Sequence, residues 1–159
     1  GFFARTWCEK EFSHMGLDTT FSQMNSTLSI RKGTLRGLHF QRSPKAETKI
    51  VRCIRGAIWD VVVDLRAGSS TFGKWYGVEL NEDNRTMVYV PKGFAHGIQT
   101  LTDNMEQLYL HSEFHSPDHE GGLRYNDPSV LVEWPLPVSV ISHRDLNHPF
   151  LNELEPVIV

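Results

Sequence analysis

From Lys49 onward, short apolar runs alternate with polar turn clusters, and the runs are rich in β-branched residues. The runs Lys49 to Ile54 and Ala57 to Leu65 flank Arg55-Gly56, a spacing that predicts a hairpin closed by a glycine turn. Further strands are expected over Trp75 to Leu80, Thr86 to Val90, Gly97 to Leu101 and Glu106 to Phe114. Turn residues separate them: Gly68-Ser69-Ser70, Asn81 to Asn84, Pro91-Lys92-Gly93 and Thr102-Asp103-Asn104. One short helix is expected over Trp7 to Met15, with Phe12 and Met15 three apart and Gly16 as its stop. Strands this short, at roughly 8–12-residue spacing, predict an all-β sandwich or barrel.

Composition narrows this further. A chain of 159 residues, 40% of them hydrophobic, suits one domain spanning 1–159. No run approaches the roughly 18 apolar residues of a membrane span. The formal charge of −3 argues against a basic nucleic-acid-binding face. Cys8 and Cys53 are too few for a disulfide framework or a structural zinc site, so buried free thiols in a cytoplasmic protein are expected. There is no signal-peptide pattern, and the chain opens at Gly1 without a methionine, so an incomplete N-terminus is expected. Small barrels of the jelly-roll or cupin kind fit these constraints and leave an open mouth for a ligand.

Candidate chemistry rests on polar residues that sit oddly in such a scaffold. Of eight histidines, His14, His111, His119, His143 and His148 lie in polar contexts and read as solvated. His39 closes the apolar stretch Leu35 to Phe40, and His96 follows the turn Pro91 to Ala95. For either alone, a core histidine bonded to backbone is an equal alternative. Arg36 and His39 have opposite parity, so a regular strand separates them, whereas a bulge at Gly37 re-aims them. Lys49 opens a strand, where snorkelling is the ordinary explanation, and Tyr109 suits a half-buried sheet position. Asp145 alone reads as a turn residue. Metal-binding cupins carry a His-x-His pair, but His39-Phe40-Gln41 has no second histidine, so no metal site is expected.

Taken in order along the chain, these residues form a pattern. Gly33 to Gln41 resembles the opening motif of the dTDP-4-dehydrorhamnose 3,5-epimerase family, the RmlC-type cupins. Ala57 to Leu65, Ser70 to Trp75, Val90 to Gly97, Asn126-Asp127-Pro128, Trp134-Pro135 and Ile141 to Asp145 continue the resemblance over nearly the whole chain. It implies a cupin-type jelly roll with a short N-terminal helix and an irregular C-terminal segment. It also implies a metal-free, cofactor-free homodimer that inverts C3 and C5 of a nucleotide-linked 4-keto-6-deoxyhexose.

The same resemblance makes His39 the base, Asp145 its carboxylate partner, Tyr109 the acid on the opposite face and Lys49 the group at the C4 oxygen. Gln23, Asn25, Arg36 and His96 match positions that hold sugar and diphosphate, and Phe3 a position beside the nucleotide base. Arg5, His115 and Arg144 complete the expected substrate-binding set. Arg5 stands where many relatives are acidic, and His115 where a second tyrosine is common. Those departures keep three alternatives open: a 3-epimerase, a keto-sugar isomerase, or a cupin that binds a sugar nucleotide without turnover. The expected partners are the nucleotide-diphosphate sugar and a second copy of the chain, with no nucleic acid and no membrane.

Overall fold

A run as apolar as Ala57 to Leu65, interrupted only by Asp60 and Asp64, makes a stable strand only where both of its faces are covered. In the computed structural model, which describes residues 1–159, both are. The framework strands are β1 (Gln23–Ser29), β2 (Thr34–Gln41), β3 (Lys49–Arg55), β4 (Ala57–Asp64), β5 (Trp75–Asn81), β6 (Met87–Val90), β7 (Phe94–Thr100) and β8 (Met105–His111). Two short strands, β9 (Glu120–Gly122) and β10 (Val140–Ile141), follow. One sheet has the order β1-β8-β3-β6 and the other β10-β2-β7-β4-β5, with β9 also paired to β2. Strand pairs are antiparallel apart from β10, which runs parallel to the start of β2. The architecture is the all-β, cupin-type jelly roll that the strand spacing implied.

Alternation along β4 shows how the core divides. Val61 and Val63 face outward and pack with Leu38, Phe40, Ala95, Leu123, Val130 and Val157, so the C-terminal segment seals that side of the sheet. Ile58 faces inward, where Val51, Cys53, Val90 and Met105 of the other sheet meet it. Part of the space between the sheets is therefore filled with apolar side chains. The remainder is polar and open.

The hairpin expected across Arg55-Gly56 does not form. β3 pairs with β8 and β6, whereas β4 pairs with β7 and β5 in the other sheet. Gly56 sits at φ +72°, and a Cβ there would come within 2.2 Å of the Thr102 hydroxyl. That hydroxyl also accepts the Ala57 N–H at 3.1 Å. The glycine thus turns a corner between sheets, a geometry whose apolar pattern on either side is the same as a hairpin's. The helix, α1 (Glu9–His14), is shorter than expected, and Phe12 anchors it against Trp7, Phe21 and Tyr89. β1 was not foreseen, because its residues are mainly polar and its outer face is exposed.

The irregularity at Gly37 matters most for the cavity. On β2, Arg36 lies opposite Ile98 and His39 opposite His96, so three steps on β2 match two on β7. This is a bulge, and it turns the opposite-parity pair Arg36 and His39 toward the same space, as their spacing required. Gly37 adopts φ +110°, and a Cβ would lie 2.7 Å from both the His96 carbonyl oxygen and the Gly97 Cα. Gly37→Ala is therefore expected to cost about 2–4 kcal/mol, from left-handed strain plus overpacking. Urea unfolding measures this, and an unchanged midpoint would contradict the role given to the bulge.

Candidate active site

A cavity of about 820 Å³ opens between the two sheets, and only 6 of its 24 lining residues are hydrophobic. Such a lining suits a polar ligand of substantial size. From the β2/β7 sheet come Arg36, His39 and His96. From the β1/β8/β3 sheet come Gln23, Asn25, Lys49 and Tyr109, which project inward at alternate positions. His115, Arg144 and Asp145 reach the same space from the loops. Ten of the twelve residues singled out by sequence therefore converge on one cavity.

Phe3 and Arg5 do not. Phe3 is 94% exposed, and Arg5 is held by Glu11 at 2.9 Å, beside α1. The first eight residues pair with no strand, so within one chain nothing carries them to the cavity.

The carboxylate that reaches His39 is delivered by a short chain of local choices. β10 pairs with β2 at Thr34 and Leu35, which brings the following residues beside Gly37. Ser142 then caps the four-residue helix α2 (His143–Leu146), its hydroxyl accepting the Asp145 N–H at 3.0 Å. The Asp145 side chain is left free to turn into the sheet. It accepts the Gly37 N–H at 3.1 Å and lies 2.7 Å from His39 Nε2. The Arg144 guanidinium also lies 3.2 Å from this nitrogen, but the shorter contact with the ionised carboxylate favours a proton on Nε2, which leaves Nδ1 as the basic nitrogen of the ring.

The electrostatics follow from this packing. Burial works against an ionised Asp145, but His148, His39 and the Gly37 N–H outweigh it and hold the carboxyl far below its ordinary range. For His39, burial disfavours the imidazolium; Asp145 offsets part of that, while Lys49 and Arg144 add to it. The net effect lowers His39 below 6.5. A neutral base results.

The facing wall is organised around different partners. The Tyr109 oxygen accepts the Thr27 hydroxyl at 3.1 Å, so the phenol proton is not committed to that contact. Lys49, 8% exposed, is no snorkelling residue; its Nζ lies 3.1 Å from Glu47 Oε1. Arg144 pairs with Glu120 at 3.0 Å, and His96 Nε2 lies 2.9 Å from Asp60. Arg36 donates Nε–H to Ser29 at 3.1 Å and is the one cationic lysine or arginine of the cavity without a carboxylate partner.

Four residues escaped the sequence reading. His111 is not solvated: it lines the cavity, with Nδ1 2.7 Å from Glu47 Oε2. His148 is also mostly buried, with Nε2 3.4 Å from Asp145 and its ring edge-on to His39. Glu47 and Glu120 complete the set, as carboxylates that neutralise cavity cations. Only parity carried a signal, and only for Glu47 and His111. Glu47 and Lys49 are two apart, as are Tyr109 and His111, so each pair shares a face. His39, Asp145 and His148 are also the one cluster whose donor atoms lie close enough together for a metal ion. The 2.7 Å His39–Asp145 contact is a hydrogen-bond distance, shorter than the ligand-to-ligand spacing of about 3.3 Å that a tetrahedral ion with bonds near 2.0 Å imposes.

Residues 1–153 match the family model described as dTDP-4-dehydrorhamnose 3,5-epimerase. The chain belongs to that family. A Sinorhizobium fredii protein named dTDP-4-dehydrorhamnose 3,5-epimerase is 43% identical over 155 residues, covering 97% of this chain and 80% of the relative. The Legionella pneumophila dTDP-6-deoxy-D-glucose-3,5-epimerase, solved with dTDP-4-keto-L-rhamnose, superposes with a TM-score of 0.91 at 37% identity. That match covers 98% of this chain and 82% of the other. A 3'-monoepimerase from Streptomyces bikiniensis, solved with dTDP-quinovose, gives 0.85 at 35% identity, covering 94% and 77%. The chain is thus an enzyme of the epimerase class. No helix in it is long and apolar enough to cross a membrane.

An imidazole lowered on folding stays neutral at pH 7, and its protonation favours the unfolded chain, so this group removes stability as pH falls below about 6.5. Asp145, also depressed, contributes stability above about pH 4 that is lost on further acidification. NMR titration of His39 is expected to give a midpoint below 6.5, and Asp145→Asn to move it lower still. An upward move in that variant would contradict the pairing.

Proposed function

We propose that the chain inverts C3 and C5 of a nucleotide-linked 4-keto-6-deoxyhexose of the dTDP-4-dehydro-6-deoxyglucose type. The observation that carries this reading is the placement of a neutral imidazole and a free phenol on opposite sheets of one cavity, with a buried ammonium beside them. The C4 ketone acidifies the hydrogens on both neighbouring carbons. His39 Nδ1 removes one, and the imidazolium so formed is stabilised by Asp145. Electrons move onto the C4 oxygen, where the Lys49 ammonium stabilises the enolate. Tyr109 then delivers a proton to the carbon from the other face, and the centre inverts. The sugar's redox state is unchanged, so no cofactor enters the scheme.

The nucleotide end of the reading rests on Arg36. A guanidinium without a carboxylate partner is suited to a diphosphate, whose oxygens its planar fork binds in pairs. His96 stands on the same wall, Gln23 and Asn25 supply amide donors and acceptors from the facing one, and Arg144 and His115 stand at the Glu120 side. Phe3 and Arg5 belong to this end only if they are supplied by a second chain. The exposed Phe2 and Phe3 support homodimerisation on the same ground.

A 3-epimerase is the second reading, favoured by His115 at the mouth where a second tyrosine is common. Incubation with dTDP-4-keto-6-deoxyglucose in deuterated water separates the two. Deuterium at C3 and C5 is the expected result, label at C3 alone selects the 3-epimerase, and no label at either carbon contradicts both. His39→Ala is expected to lower turnover by about 10²–10⁴-fold, the range for loss of a general base. Affinity for dTDP, measured by calorimetry, is expected to stay unchanged. Parallel losses of binding and turnover would favour a binding-only cupin.

A further inference from the structure

Glu47 is the least expected group in the cavity. Its side chain is 8% exposed, and one oxygen faces Lys49 Nζ at 3.1 Å while the other faces His111 Nδ1 at 2.7 Å. Lys49 and His111 lie directly opposite each other on β3 and β8, so the carboxylate spans a cross-strand pair. Neighbouring backbone fixes it there. Thr48 N–H donates to the Ser112 hydroxyl at 2.8 Å, Ser112 N–H donates to the Thr48 carbonyl at 3.0 Å, and the Thr48 hydroxyl bonds Asp18. Burial opposes ionisation of Glu47, but His111 and Lys49 outweigh it and hold the carboxyl below its ordinary value. His111 in turn packs edge-on to Tyr109, with ring centroids 5.0 Å apart.

We propose that Glu47 is a positioning residue for the reaction, bridging Lys49 and His111 so that the ammonium and the phenol are held in register on one wall. This rests on the epimerase mechanism proposed above. An ammonium on a four-carbon stem has three donors and many rotamers. One N–H on Glu47 fixes the stem and leaves two donors for the C4 oxygen. The ionised Glu47 oxygen also requires a proton on His111 Nδ1, which sets the ring's tautomer and with it the surface against which Tyr109 packs. The negative charge has a further effect. When His39 takes a proton, positive charge develops in a cavity that already holds Lys49 and Arg144, and Glu47 balances the Lys49 wall.

The test uses deuterium incorporation from water into dTDP-4-keto-6-deoxyglucose, with Glu47→Gln and Glu47→Asp beside the wild-type protein. Glu47→Gln keeps the volume and loses the charge and the double acceptor. Its kcat is expected to fall about ten- to a hundred-fold, as for a reacting group displaced by a fraction of an ångström to an ångström. KM and dTDP affinity are expected to stay unchanged, the thermal midpoint to fall because buried Lys49 loses its carboxylate, and Glu47→Asp to recover part of the rate. Wild-type rates in Glu47→Gln, or a fall in kcat matched by a fall in dTDP affinity, would overturn the proposal. The ¹⁵N spectrum of wild-type His111 gives a reading independent of any variant: Nδ1–H is expected, and a ring protonated on Nε2 alone overturns the bridge. Absence of exchange in the wild-type protein would instead sink the mechanism beneath it, a separate outcome.

Discussion

A nearly buried carboxylate in contact with an imidazole sets the terms for everything else in this molecule. Asp145 is 3% exposed and stays ionised only because an N–H, a histidine and a second histidine surround it. Its contact with His39 assigns the ring tautomer, and the ring tautomer decides which nitrogen can act as a base. The Gly37 N–H that completes its coordination is available only because β2 bulges there. The same bulge aims Arg36 and His39 into one cavity. Strand irregularity, helix capping at Ser142 and the acid–base pair are thus a single construction.

The cavity repeats one motif on both walls. Glu47 faces His111, Asp60 faces His96 and Asp145 faces His39, so three imidazoles are each oriented by a carboxylate. Burying six ionisable groups is costly unless each is paired, and pairing leaves the net field small. Against that background an unpaired guanidinium stands out, and Arg36 is where an anionic portion of a ligand has most to gain. A buried ammonium with two uncommitted donors is the matching feature at the reacting end.

Much of the fold was legible because β-branched runs and glycine-rich turns report strands directly. β5, β6 and β8 fall within a few residues of the expected positions. The corner at Gly56 was not legible, since a hairpin and a change of sheet share the same local pattern and differ only in which distant strands pair. In the site, the Arg36–His39 parity conflict is the sequence signal of the bulge. Glu47, His111 and His148 were missed for the opposite reason. Each sits among polar neighbours in sequence and is buried against distant partners, His111 against Glu47 64 positions away and His148 against Gly122 26 positions away, which local polarity cannot reveal. Phe3 and Arg5 show the converse limit, because a motif match carries no information about whether one chain alone can bring its ends to its own cavity.

The central claim is geometric: a base and an acid address opposite faces of one sugar ring. A crystal structure with a dTDP-linked hexose in the cavity tests it most directly. His39 Nδ1 and the Tyr109 oxygen are expected on opposite sides of the ring, each about 3–3.5 Å from a carbon next to C4, with Lys49 Nζ at the C4 oxygen. A sugar seated with both groups on the same side, or with its C4 oxygen turned away from Lys49, would contradict it.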